Sequence, residues 1–472
     1  MRMRGNRGRE ALAVLIGLTG ITGSGINAMA APLDQVLATT YATNPVLAAQ
    51  RAQLRTADEG VPQALAGWRP TVTVNGSVGY GSYYATTSRF SGTPETADRN
   101  PRNGGVTVTQ PLYNGGRTVA ATAQAEATVL AERARLQATE QTVLLNAATA
   151  YLNVVRDEEV LALSVNNEQV LRRQLEATGE RFRVGELTRT DFSQAEARLA
   201  RAIADRIGAE GTLKTSRANY FNIVGASAEG VTQPAIPNGL PTRLDEAKVR
   251  ALADNPLVAV SDHTAAAAEE GVDTVFGELL PTVTLSGELN GSVDGSTVAR
   301  GSDTYETTTQ QVVLNLSVPL YEGGGTYARL RAAKQTAGQR RVEADQARRD
   351  AVETTSKAWE GLEAARAQVE SYEAQVRASD IALAGVREES KVGSRTVLDV
   401  LNAEQELFEA RVALTRAQHD LLIAGFQLKA AVGQMTASGL ALQVDRYDAV
   451  EHYETVRGKW IGTGAPLETG RK

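Results

Sequence analysis

The chain has no cysteine. That excludes a disulfide, a thiolate zinc site, a cysteine nucleophile and a lipid-bearing N-terminal cysteine. Aromatic residues are only 5% of the 472 positions, too few for large aromatic-filled cores. Alanine is plentiful instead, which favours close helix–helix contact. Beyond the N-terminal thirty residues no run approaches about 18 consecutive apolar residues, so no bilayer-spanning helix is expected. The three histidines, His263, His419 and His452, are scattered and show no H-E-x-x-H spacing; no catalytic, metal or cofactor role is assigned to them. Gly115-Gly116 and Gly323-Gly324-Gly325 follow strand patterns and open helices, as phosphate loops do. Neither completes G-x-G-x-x-G and no Gly-Lys-Ser/Thr occurs, so both read as strand-to-helix bends. The net charge of −6 makes nucleic acid a poor partner.

What is present begins with an export signal. Arg2, Arg4, Arg7 and Arg9 precede an apolar stretch from Ala11 to Ile21, and Ala28-Met29-Ala30 is a small-x-small cleavage pattern. Residues 1–30 are expected to be removed. The remainder is then either soluble in the periplasm or inserted as a β-barrel.

The rest of the chain is written twice. Asn44-Pro45 recurs as Asn255-Pro256 and Pro70-Thr71-Val72-Thr73 as Pro281-Thr282-Val283-Thr284, both shifted by 211 (255 − 44, 281 − 70). Pro111-Leu112-Tyr113-Asn114-Gly115-Gly116 matches Pro319-Leu320-Tyr321-Glu322-Gly323-Gly324, Val184-Gly185 matches Val392-Gly393, and Asp191 matches Asp399. These are all shifted by 208 (319 − 111, 392 − 184, 399 − 191). Three residues are missing from the second copy between the two blocks. The first repeat is placed at 31–225, with a strand hairpin over 70–113 and helices over 116–183 and 188–224. A linker or equatorial segment fills 226–250. The second repeat occupies 251–433, with a hairpin over 281–321 and helices over 325–390 and 396–433. Residues 434–472 form a C-terminal equatorial segment, part of which is expected to pack around the waist of the helices, with an end expected to be disordered.

Two periodicities define the elements. Val72, Val74, Val78 and Tyr80 alternate with Thr71, Thr73, Asn75 and Ser77 in a strand running from Thr71 to Tyr84. Val283, Leu285, Leu289 and Val293 alternate with Thr284, Ser286, Glu288 and Asn290. The returning strands carry Val106, Val108 and Leu112, and then Val312, Leu314, Leu316, Val318 and Leu320. Period two means one apolar and one polar face. Polar Gly- and Ser-rich stretches, Ala85 to Gly105 and Asp294 to Thr308, read as long hairpin tips. The helices have the other period: Leu407, Leu414, Leu421 and Leu428 fall every seventh residue, with Ala403, Ala410, Ala417, Ala424 and Ala431 between them. This Leu/Ala heptad seam is a coiled-coil signal.

One hairpin per copy supplies four strands. Four strands cannot close around a lumen, and an open edge cannot sit in lipid. Either the strands form a small soluble sheet or several chains pool them into one barrel, and the apolar-out, Thr/Ser/Asn/Gly-in faces favour the barrel. Hairpins return to the side they left, which puts all helices in the periplasm.

The repeated hairpin and long-helix plan, the Pro-Leu-Tyr-x-Gly-Gly junctions and the Val-Gly-x-x-x-x-x-Asp helix turns resemble the TolC family of outer-membrane efflux and type I secretion proteins. The likeness covers about residues 32 to 435. It implies a mixed α and β membrane protein. Three chains would form a twelve-stranded transmembrane β-barrel, four strands per chain, continuing into a long periplasmic barrel of helical coiled coils. It implies a passive channel rather than an enzyme, with outer-membrane lipid around it. The expected partners are a periplasmic adaptor and an inner-membrane ABC or proton-driven transporter. By the same resemblance Asp399 matches the first aspartate of a pore-constricting ring, with Asn402 in place of the second. Arg395 and Asp191, beside Thr190, match polar links that hold the mouth closed. Ser390 stands where the family has a tyrosine in that latch. Val184, Gly185, Leu187 and Thr188, with Val392, Gly393 and Ser394, match adaptor-docking grooves, where Glu186 replaces a usual apolar residue. The bland readings are a helix-start carboxylate for Asp399, a surface ion pair for Arg395 and helix-ending glycines for Gly185 and Gly393. Rival functions are a periplasmic structural or adaptor coiled coil without a pore, and a hydrolase or binding protein, for which no clustered polar site is visible.

Overall fold

The computed structural model describes residues 32–85, 95–298 and 301–464. The expected signal at 1–30, residues 86–94 and 299–300 of the expected hairpin tips, and the end of the chain at 465–472 lie outside them.

The first copy runs α1 (Leu33–Thr43), α2 (Pro45–Asp58), α3 (Gly60–Leu65), β1 (Thr71–Val78), β2 (Gly81–Ala85), β3 (Glu95–Asn114), α4 (Arg117–Arg183) and α5 (Arg189–Val224). The second runs α6 (Leu244–Asp254), α7 (Pro256–Phe276), β4 (Thr282–Val298), β5 (Gly301–Ser317), α8 (Gly325–Lys391) and α9 (Val397–Ala431), followed by α10 (Glu451–Arg457). The stretch expected as a linker over 226–250 thus contains the start of α6, the counterpart of α1. Both α4 and α8 have 67 residues, about 100 Å of rod at 1.5 Å per residue.

The strands form one antiparallel sheet in the order β1-β3-β4-β5, with β2 continuing the β1 lane against β3. The register confirms the alternation: Val72 pairs with Val108, Val108 with Gly287, and Gly287 with Val312. The next row joins Val74, Val106 and Leu289. The predicted apolar positions inside the ladders, apart from Leu112 at the bulge between Pro111 and Tyr113, therefore share one face, and Val72, Val74, Val312, Leu314 and Leu316 are exposed on it. Three sequence expectations need correction. The first strand is not continuous, because Gly79 and Tyr80 interrupt it where the Gly79 N–H turns to the Pro101 carbonyl (2.8 Å). Most of the described part of the expected hairpin tips is strand: β3 already starts at Glu95, and β4 and β5 leave only residues 299–300 between them. A ladder needs only backbone groups, so a polar Ser/Gly/Thr segment pairs as well as an apolar one where both faces meet water. Finally, Val318 and Leu320 lie beyond the end of β5 at Ser317, where Pro319 offers no N–H to a ladder.

The helices form four long staves per chain, two continuous and two spliced. α4 and α8 are continuous. α2 stands on the end of α5, and α7 on the end of α9. Asn44 and Asn255 make both joints. Each side-chain oxygen caps its own helix by accepting from the N–H two residues on (Val46, 2.9 Å; Leu257, 2.9 Å). Each side-chain amide also donates to the last turn of the helix below, to the Ile223 carbonyl (3.0 Å) and the Ala431 carbonyl (3.2 Å). The following Pro45 and Pro256 fit the first helical position, where no N–H is needed.

The Leu/Ala seam of α9 packs as its period demands: Leu407, Ala410, Ala417, Ala424, Leu428 and Ala431 are buried. The thickest apolar core lies midway along α4, where Leu144, Ala147, Ala148 and Tyr151 are fully buried beneath α1 and the C-terminal segment. Tyr151 Oη donates to the Thr232 carbonyl and accepts from the Thr232 N–H, both at 2.8 Å. Met435 is 0% exposed in this core. Met435→Ala is expected to cost about 2–5 kcal/mol and to lower the denaturation midpoint of detergent-solubilised protein accordingly.

Candidate functional site at the helix turns

The ends of α4 and α8 farthest from the sheet turn back into α5 and α9 by the same device. Gly185 (φ +82°) and Gly393 (φ +81°) take the left-handed conformation that ends each helix. The first turn is closed by Gly185 N–H to the Phe182 carbonyl (3.0 Å) and Glu186 N–H to the Arg181 carbonyl (2.9 Å). In the second, Gly393 N–H reaches the Ser390 carbonyl (3.2 Å) and Ser394 N–H reaches the Glu389 carbonyl (3.0 Å). Thr188 and Thr396 then start the next helices with reciprocal capping boxes. Thr188 Oγ1 donates to Asp191 Oδ2 (2.7 Å), and Thr396 Oγ1 donates to Asp399 Oδ2 (2.8 Å). The N–H of each threonine bonds the same carboxylate oxygen, while the aspartate N–H returns to the threonine oxygen.

Asp399 therefore carries the helix-start role that its position first suggested, and Asp191 carries the same role in the first turn. The bonds from the Thr396 N–H and hydroxyl, with Arg395 nearby, hold the Asp399 carboxyl below the usual carboxylate range. Arg395 does not reach Asp191 within the chain. Its Nε donates to Glu389 Oε2 (2.8 Å), which pushes the guanidinium pKa up. Both groups of this pair are about half exposed. Asn402 is engaged too: its Oδ1 accepts from Arg198 Nη2 (2.8 Å), tying α9 to α5. Thr190 is exposed, Ser390 is half-buried, and Val184 and Val392 stand 72% and 81% exposed at the tips. Beneath the tips, Leu187 and Leu199 pack with Ala195, Val397 and Leu401, so the two turns share one apolar cluster.

Sequence reasoning missed Arg198 and Glu389. Neither has a counterpart in the internal repeat that would mark it, and the Arg198–Asn402 contact spans 204 positions. Glu389 alone carried a faint signal, as an acidic residue across a tight turn from Arg395. At the other end of the rods, Gly115, Gly116, Gly323 and Gly324 all have positive φ, and a Cβ on Gly115 would sit 2.2 Å from the Gly277 carbonyl oxygen. They are bends, as their sequence context suggested. No group of His, Asp and Glu suited to a metal occurs among the described residues.

An amphipathic sheet with two open edges, set on a single-layered wall of long helices, defines a subunit of an outer-membrane export channel. The chain matches the outer membrane efflux protein family over residues 36–226 and 248–434, and it belongs to that family. It is 36% identical over 458 residues to the outer membrane efflux protein BepC of Brucella suis, covering 97% of each chain. It is 25% identical over 446 residues to the outer membrane protein TolC of Escherichia coli, covering 92% of this chain and 88% of TolC. Among solved structures, the CmeC outer membrane channel of Campylobacter jejuni aligns with a TM-score of 0.73 over 90% of this chain and 89% of that one, at 16% identity. The protein resides in the outer membrane, with its long helices in the periplasm.

Proposed function

We propose that three copies of this chain close one barrel and one tunnel, and that this conduit passes substrate outward from an inner-membrane pump. The observation that carries the reading is the sheet. Its outer lanes, β1 and β5, are unpaired on one side, and its apolar face is exposed along Val72, Val74, Val312, Leu314 and Leu316. Lipid accepts that face but not unpaired backbone edges. Joining β5 of each subunit to β1 of the next removes every edge and yields twelve strands. The opposite face, with Thr73, Asn75, Thr284, Ser286 and Asn315, then lines water. Below it, four staves per chain give a wall of twelve. The conduit performs no chemistry of its own. Energy comes from an inner-membrane ABC or proton-driven transporter, and a periplasmic adaptor joins the two. The adaptor docks on Val184, Gly185, Leu187 and Thr188 and on Val392, Gly393 and Ser394, where the exposed valines offer apolar purchase on turns already closed by their own bonds. Planar-bilayer recording and the mass of the detergent-extracted particle test the reading together: a conducting trimer supports it, and a silent monomer sinks it.

At the mouth, Asp399 rings the axis as the charged constriction, with Asn402 held beside it by Arg198. Arg395 is the latch residue. Its exposed bond to Glu389 is weak in water and exchanges for Asp191 of a neighbouring subunit, next to Thr190 and Ser390, when the mouth is shut. Arg395→Ala is expected to raise single-channel conductance several-fold, and unchanged conductance would remove the latch. Asp399→Asn is expected to lower cation preference without closing the pore. Because the Asp399 carboxyl sits below its ordinary range, cation preference in the parent channel should persist as pH falls through that range. It should be lost only below it, along with the stabilising cap on α9. A reversal-potential titration reads this directly.

A further inference from the structure

After α9 the chain does not stop at the core but climbs α4 toward the sheet. The Ala437 N–H bonds Glu140 Oε1 (2.6 Å). Tyr453 Oη and Arg457 Nη2 both reach Glu126 Oε1 (3.2 and 2.9 Å). From Glu140 to Glu126 is about 21 Å of helix rise toward the strands. α10 is fixed on this path by Val456, which is 0% exposed, and by His452 Nδ1 against the buried Asp58 Oδ2 (2.9 Å). The next residues arrive at the foot of β1. Arg69 Nη1 donates to the Lys459 carbonyl (2.8 Å), and the Arg69 guanidinium lies 5.0 Å from the centre of the Trp460 ring. Beyond that contact, Trp460 is 65% and Ile461 90% exposed, and Trp68, next in the chain to Arg69, is exposed as well.

We propose that Trp460 and Ile461 are an interfacial anchor that seats in the headgroup–acyl boundary of the outer membrane's periplasmic leaflet. The inference rests on the barrel reading above. Three observations select lipid as the occupant. The site is continuous with the membrane-facing side of the sheet: the Trp68 carbonyl accepts from Gln110 Nε2 (2.8 Å), and Gln110 is in register with Leu285, and Leu285 with Leu314, on the apolar face. The chemistry is that of an interface: an indole, apolar in body with one N–H, beside a large aliphatic side chain. The charge is complementary: Arg69 lies against the indole, Lys459 precedes it in the chain with its Nζ on the Gly464 carbonyl (2.9 Å), and neither cation has a carboxylate partner among the described residues, which suits both to lipid phosphate. Each subunit is thus fastened to the bilayer twice, by its strands and by a strap that runs up from the core.

The chain has three tryptophans, Trp68, Trp359 and Trp460, which makes the test direct. The full-length Trp68→Phe/Trp359→Phe variant is reconstituted in phosphatidylcholine/phosphatidylglycerol vesicles, with or without bromine on the acyl carbons nearest the headgroup. Bromolipid is expected to cut its emission at least twofold, with little further loss to aqueous acrylamide. Quenching by acrylamide alone would mean a solvated tail, and quenching by neither would mean burial against a sister subunit; either result overturns the proposal. If the double variant assembles poorly, the same signal is read as the bromolipid-sensitive emission that the parent loses on Trp460→Phe. Leu314→Trp, placed in a background with all three native tryptophans changed to Phe, reports the barrel separately. If it is quenched while Trp460 is not, the anchor alone fails; if it too is untouched, the barrel reading falls and the anchor with it.

Discussion

Val312→Arg is expected to abolish channel formation. Val312 stands 76% exposed on the apolar face of β5, in the row of Val72, Val108 and Gly287, with apolar rows on both sides of it. An arginine on the lipid face costs about 2–4 kcal/mol at the bilayer midplane, and a threefold assembly incurs such a cost in each of its three chains. A polar-face residue of the same strand gives the control. Asn315 pairs with Thr284 on the polar face, so Asn315→Arg should insert and assemble like the parent and change only ion preference. Detergent-extracted trimer on a sizing column and bilayer conductance read both variants. Parent-like trimer and conductance from Val312→Arg would mean that this face does not meet lipid.

The second large effect is expected at Gly433, just past the end of α9. Its φ is +82°, and a Cβ there would lie 2.3 Å from the Asp254 carbonyl oxygen and 3.0 Å from the Asn255 nitrogen. Gly433→Ala therefore incurs the left-handed penalty of roughly 1–2 kcal/mol and also forces apart the joint at which α7 stands on α9. Gly225, at the corresponding joint of the first copy, has φ +79° but no atom within 4 Å of the place a methyl group would take. Gly225→Ala should carry the conformational penalty alone. A denaturation midpoint several degrees lower for Gly433→Ala than for Gly225→Ala is the expected result; equal midpoints would show that the joint yields freely.

The fold was legible wherever chemistry repeats with a fixed period. Two-residue alternation located the strands and the face of each, because a pleated strand has no other way to separate lipid from water. The Leu/Ala heptads located α9, because a close helix seam admits little else. The fold was not legible where the determining partner lies far along the chain. Asn44-Pro45 and Asn255-Pro256 stood out as repeated words, yet their splicing role depends on carbonyls 179 and 176 positions away and leaves no local pattern. That part of the C-terminal segment packs at the waist could be expected, but its climb along α4 to Lys459 was hidden for the same reason: Glu140, Glu126 and Arg69 are ordinary surface residue types until the tail is laid on them. Polar composition misled the reading of the hairpin tips, since backbone pairing is indifferent to it. At the mouth, the positions of the turns and the helix-start role of Asp399 could be read, but the capping by Asp191 was not, and the Arg395–Glu389 and Arg198–Asn402 pairs are products of three-dimensional placement.

Each outermost turn is locked by a left-handed glycine below and a threonine–aspartate box above, all from within its own loop. Val184 and Val392 are consequently released from any duty in folding. Natural variation can therefore rewrite those two side chains at little cost to the rods that carry them, and, on the docking role proposed above, change the choice of adaptor with them.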